Sequence, residues 1–153
     1  MRWFRYLTVS EVVDINEGLR DVWSEEMFGV RDLGLVEAAV LRPQQTFDGQ
    51  DLYPDVHTKA AAMFHSLART QGFMQGNKRT AFLAMYVFYG RNGYRLHMSD
   101  VEAVGFTCDA AEGLLDVSAI AGVLKNHASP RSYPEALPEL DELDELDEED
   151  ETA

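Results

Sequence analysis

A single cysteine, Cys108, stands in the 153 residues. One thiol cannot close an internal disulfide, which excludes a disulfide-stapled secreted scaffold and fits a reducing cytoplasm. Cys108 lies in an apolar helical stretch, where the expected role is a small buried hydrophobe. Long apolar runs are missing too. No stretch reaches the roughly 18 residues of a membrane span. Met1 to Thr8 is too short and too polar for a secretory signal. The expectation is a soluble, cytoplasmic protein with no membrane partner.

Basic residues are scarce: 13 Lys and Arg face 27 Asp and Glu, for a formal net charge of −14. The imbalance is local, because Glu135 to Glu151 holds eleven acids and no base. Without those eleven, 16 acids face 13 bases. A body near neutrality lacks the clustered cations that phosphate backbones need, which argues against nucleic-acid binding. The four histidines and one cysteine show neither metal-ligand spacing nor a Ser–His–Asp pattern.

The chain does hold 46% apolar residues, enough for the core of one domain. Thr8 and Glu11 have capping-box spacing and open a helix over about Val9 to Trp23. Gly29 to Gly34 reads as a turn, followed by a helix over Leu35 to Leu41 that Pro43 stops. Asp48-Gly49 is a hairpin dipeptide inside the polar stretch Thr46 to Pro54, which predicts a small β-flap. Asp55 caps a third helix, Val56 to Thr70, and a fourth runs from Asn77 to Asn92 with Gly93 after its end. The stretch Ala81 to Phe88 is apolar nearly all round, so this helix is expected at the buried centre. Tyr94 to His97 reads as a short extended piece. Ser99 and Glu102 box a fifth helix to Glu112, and a last helix spans Val117 to His127. The fold class is therefore all-α with one hairpin, as a domain over residues 1–130. Residues 131–153, with repeated Leu-Asp-Glu triplets, read as a disordered acidic tail or a docking segment for a basic partner.

The chemistry concentrates at Gly76-Asn77-Lys78-Arg79. Unpaired N–H groups and the positive dipole end make a helix N-terminus an anion site. Gly76 removes a side chain that would block close approach. Asn77 adds an amide donor, and Lys78 and Arg79 add cations that oppose the helix dipole unless an anion joins them. The competing reading is a solvated basic turn. The spacing is not that of the Gly-x4-Gly-Lys-Ser/Thr phosphate loop.

Phe73-x-x-Gly76-Asn77-Lys78-Arg79 resembles the Fic/Doc signature His-x-Phe-x-(Asp/Glu)-(Gly/Ala)-Asn-(Lys/Gly)-Arg. Gly29 to Leu35, Asp51 to Asp55, His65 to Arg69 and Arg91 to Tyr94 are similar to the same family, especially its Doc-type toxins. The resemblance implies a helical fold, Phe73 as a packing residue, and ATP phosphates held at Gly76, Asn77, Lys78 and Arg79. It also implies protein-kinase or nucleotidyltransferase chemistry on a hydroxyl of a target such as a translation factor, with a cognate antitoxin as partner. Phe82 stands where nucleotide-transferring members carry a second arginine, which leans toward phosphate transfer.

Two positions depart from the signature. Gln71 stands at the place of the family histidine, and Gln75 at that of the acidic Mg²⁺ ligand. An amide does not titrate near neutrality and cannot serve as a general base, a loss of about 10²–10⁴ in rate. A neutral carbonyl is also a weaker Mg²⁺ ligand than a carboxylate, so Mg²⁺ is expected to bind weakly or not at all. Neither His57 nor His65 has a clear path to replace the missing base. The inhibitory pattern Ser/Thr-x3-Glu-(Gly/Asn) is also absent: Val13 precedes Glu17 by four, and Cys108 precedes Glu112 by four. Two readings stay open: a nucleotide-binding pseudoenzyme, and an active Doc-like toxin.

Overall fold

A computed structural model describes residues 3–131. The acidic tail expected over 131–153 lies outside the described residues, apart from Arg131. The described residues form a helical domain with two short antiparallel strand pairs.

Helix α1 (Val9–Gly18) opens on the Thr8–Glu11 capping box. It stops earlier than its apolar pattern predicts. At Gly18, a poor helix former, the chain tightens into a 3-10 turn, Leu19–Asp21, which keeps Leu19 buried. Helix α2 (Leu33–Leu41) starts two residues early, because the Asp32 carboxylate accepts the Leu35 N–H and caps the turn-rich segment. Pro43 then starts a 3-10 turn, Arg42–Gln44, where its missing N–H costs nothing.

Strands β1 (Thr46–Phe47) and β2 (Gln50–Asp51) form the expected hairpin. Asp48 and Gly49 both take positive φ, 51° and 76°, which a two-residue type I′ turn requires. Helix α3 (Val56–Arg69), capped by Asp55, is the axis of the domain. It packs on α2, on α4 (Asn77–Arg91), on α5 (Asp100–Ala111) and on α6 (Val117–His127). Strand β3 (Tyr94–Leu96) pairs with β4 (Ala128–Pro130), a strand that the sequence reading did not anticipate.

Helix α4 corrects one expectation. Its Ala81, Ala84, Met85, Phe88 and Tyr89 are buried, but Leu83 and Tyr86 are 40% and 45% exposed. An apolar outer face remains on the helix expected to be buried all round. Phe73 is 1% exposed and joins the same core. Burying such a ring contributes about 1.5–3 kcal/mol, and its place ties the loop before α4 to the domain interior.

Candidate functional site

The loop between α3 and α4 is shaped mainly by main-chain bonds. Arg31 and Asp32 N–H groups both donate to the Gly72 carbonyl, at 2.8 and 3.0 Å. Met74 N–H donates to the Gly29 carbonyl at 2.9 Å, and Val30 pairs with Phe73 as an antiparallel bridge. Gly72 is packed so tightly that a Cβ there would lie 2.7 Å from Val36 Cγ2. The segment 29–32 thus holds the loop as a partner strand would.

Two buried or half-buried asparagines complete the frame. Asn77 accepts the Phe73 N–H at 3.0 Å and donates to the Phe73 carbonyl at 3.1 Å. Its carboxamide therefore closes the loop on itself. Sequence reasoning expected that amide as a donor toward a ligand, and the structure spends it on the loop. Asn16, fully buried on α1, was missed altogether. Its amide donates to the Gln75 carbonyl at 2.9 Å and to Thr80 Oγ1 at 3.0 Å, while its oxygen accepts the Gly29 N–H at 2.7 Å. One signal existed: Asn16 follows Val12 by four and precedes Leu19 by three, a lone amide on a buried face.

Gly76 ends the loop in the left-handed region, φ 76° and ψ 20°, and serves as N-cap of α4. A Cβ there would sit 2.8 Å from Leu19 Cδ1 and 3.0 Å from Phe28 Cε1, so both conformation and space call for glycine. No side chain caps α4, whereas Thr8, Asp32, Asp55, Ser99 and Asp116 cap α1, α2, α3, α5 and α6. The first turn of α4 faces a polar cleft of about 310 Å³. Arg69, Gln71, Gly76, Asn77, Lys78, Arg79 and Glu112 line it. Arg69 adds a cation from the end of α3 that was not among the expected site residues. Its guanidinium lies against Gly113.

The expected residues fare differently within this cleft. Gln71 and Lys78 are exposed. The Gln71 carbonyl accepts Arg31 Nε at 2.5 Å, which leaves the Gln71 side chain to the cleft. Gln75 turns away: its Oε1 accepts the Met27 N–H at 2.5 Å. Arg79 is held by Glu26, with Nη2 at 2.9 and 3.2 Å from the two carboxylate oxygens. A second, apolar cavity of about 390 Å³ adjoins, sharing Lys78 and Arg79 and lined by Leu19, Trp23, Phe82 and half-buried Cys108.

A profile described as the Fic/DOC family matches residues 6–89, more than half of the chain. The chain belongs to the Fic/Doc family. A curated relative, "Toxin Doc" of Mycolicibacterium smegmatis, is 47% identical over 87 residues. That alignment covers 57% of this chain and 62% of the relative, so the match spans less than two thirds of the relative's length. The matched region ends at Tyr89, and it contains the hairpin, the loop and the uncapped start of α4.

None of the four histidines stands among the cleft-lining residues named above. His57 Nδ1 pairs with the buried Tyr89 hydroxyl at 2.9 Å, about 18 Å along α3 from Arg69 at 1.5 Å per residue. Burial raises the Tyr89 pKa well above its ordinary value. His65 Nδ1 accepts from Arg42 Nη1 at 2.9 Å. Burial lowers its pKa first, and Arg42 and Arg69 lower it further. His97 pairs with Ser129 Oγ, and His127 with the Val123 carbonyl. Among the described residues no group of three His, Cys, Asp or Glu is placed to hold a metal, and no helix is long and apolar enough to cross a membrane.

Proposed function

We propose that the cleft at the start of α4 binds the phosphates of a nucleotide such as ATP, and that transfer chemistry is weakened or lost. The observation that carries this reading is the uncapped first turn of α4, opening on a cleft whose lining holds three cations, Arg69, Lys78 and Arg79, against one acid, Glu112. Backbone N–H groups, the helix dipole and cations there all favour an anion. Gln71, at the position of the family histidine, borders the cleft but cannot accept a proton at neutral pH. Gln75, at the position of the metal-binding acid, offers no charge and already spends its carbonyl on Met27. Neither glutamine supplies a carboxylate for Mg²⁺, and Glu112 is the one acid among the cleft-lining residues, so nucleotide binding should depend little on that ion.

Calorimetric titration of ATP, with and without Mg²⁺, tests the reading. The expected result is binding in both conditions, weakened at least tenfold in Arg69→Ala/Lys78→Ala, as when about two charge-assisted contacts are lost. Absence of binding, or binding indifferent to that double variant, would contradict it.

The alternative is an active Doc-like toxin that moves phosphate, or AMP, from ATP to a hydroxyl of a target such as a translation factor. The relative named Toxin Doc favours it, as does the β1–β2 hairpin, which presents Phe47 at 77% exposure as a surface for a target segment. A cognate antitoxin is then the natural partner. Mass spectrometry of a lysate incubated with this chain, ATP and Mg²⁺ separates the two. Modification by the wild type supports the toxin; modification only by Gln71→His/Gln75→Asp supports a silenced scaffold.

A further inference from the structure

Arg79 lines the cleft, yet part of its guanidinium is already engaged by an acid. Nη2 donates to both oxygens of Glu26. The guanidinium carbon lies 4.3 Å from the centre of the Trp23 ring and 5.9 Å from that of Phe28. Nη1 is buried and has no acceptor. Opposite charge and the negative face of an indole both favour the cation where it is. A buried guanidinium nitrogen without a partner is nonetheless a donor left idle.

The residues that hold Arg79 belong to one short segment that also runs along the loop. Met27 N–H meets Gln75, and the Gly29 carbonyl meets Met74 N–H. Glu26 and Trp23 extend the same strap to the first turn of α4. Arg79 borders both the polar cleft and the apolar cavity, so it stands at the boundary between them.

We infer that Glu26 and Trp23 form a clasp that occupies Nη2 and one face of the Arg79 guanidinium at the edge of the cleft and so sets the cleft's affinity for phosphate. The inference rests on the nucleotide reading above. An incoming phosphate competes with the Glu26 carboxylate for Nη2, and the unpaired Nη1 beside it completes a two-point contact that Glu26 does not make. Full two-point engagement then requires Nη2 to leave Glu26 and the guanidinium to shift against the indole. Lys78 and Arg69 make the first contact, and Arg79 adds its donors only when the anion outcompetes Glu26.

The test uses the full chain carrying Trp3→Phe. Trp3 is 84% exposed, and its removal leaves Trp23 as the sole indole of the two in the sequence. ATP is titrated by calorimetry and by Trp23 fluorescence in parallel. Saturating ATP should shift the Trp23 emission. Glu26→Gln keeps an acceptor and removes the charge, and should tighten ATP by about fivefold, the scale of a partly exposed ion pair. Trp23→Leu removes only the ring face and should tighten ATP by about twofold in calorimetry, which keeps the test open should Glu26→Gln fold poorly.

Bound ATP with unchanged Trp23 emission would overturn the clasp alone. So would Glu26→Gln or Trp23→Leu binding no more tightly than the parent. Binding by Glu26→Gln but not by the parent would support a tighter clasp. Binding by no variant would remove the nucleotide reading, and the clasp with it.

Discussion

The hairpin Thr46–Asp51 and the loop 70–76 flank the same helix, α3, but they are held by different means. The hairpin has its own short ladder and one deep tie: Lys59, fully buried, donates to Asp51 Oδ2 at 3.0 Å and to the Pro43 carbonyl at 3.1 Å. Phe4 and Tyr6 cover that ammonium with their rings, at 4.9 and 5.4 Å. The loop is bound from three sides, by Asn16 on α1, by segment 29–32 and by Asn77 of α4. The loop's shape is thus shared among several anchors, whereas the hairpin leans on one. In the loop, the shape depends on the main chain, on Gly72 and Gly76, and on the amides of Asn16, Gln75 and Asn77.

The largest expected effect breaks the loop's side of the comparison. Asn16→Ala removes three hydrogen bonds, one buried and two part-buried, and leaves the Gln75 carbonyl, Thr80 hydroxyl and Gly29 N–H short of partners. Urea unfolding should show a loss of about 3 kcal/mol, near one per bond. Asp51→Ala is next. It strips Lys59 of its counter-charge, and the expected loss is about 2–3 kcal/mol because Asp51 itself is partly exposed. Hydrogen exchange sharpens the contrast: Asp51→Ala should open the hairpin amides and leave those of Arg31, Asp32 and Met74 protected. Gly76→Ala follows, at about 2 kcal/mol, from a left-handed φ and the contact with Leu19.

Much of this frame was legible because it is local. The Thr8–Glu11 and Ser99–Glu102 boxes, the Asp55 cap and the Asp48-Gly49 turn each span a few residues, and each forms as its spacing predicts. The all-α class and the family followed from the same local patterns and motif blocks. What stayed hidden is non-local. Asn16 meets partners 59 and 64 residues away, which no periodicity encodes. Strand β4 is three residues ending in Pro130 and exists only because β3 lies beside it. Glu26 lies 53 residues from Arg79, and only the fold sets the two together. The apolar run of α4 misled in the opposite direction, since Leu83 and Tyr86 line an outer face that pattern alone assigned to the core.

The smallest predicted effect concerns pH, and it sits on neither region. The unfolded chain protonates His65 near the ordinary 6.5, whereas burial and the charges of Arg42 and Arg69 hold the folded residue neutral to lower pH. The unfolded state therefore binds the proton first. The contribution of His65 to stability is complete above its ordinary pKa and is lost as pH falls toward the folded value. His65→Gln should flatten the fall of Tm between pH 7 and 5 by about a degree or two. An unchanged slope would move the pH dependence elsewhere.

On the nucleotide reading proposed above, the cradle outlives the chemistry, and the decisive measurement is ATP titration of the unmodified chain with and without Mg²⁺. The account predicts saturable binding in both conditions, with affinities within about threefold of each other, as expected where no carboxylate holds the ion, and no transfer of phosphate or AMP to protein. An absence of binding, or binding that appears only with Mg²⁺ and is accompanied by transfer, would contradict it.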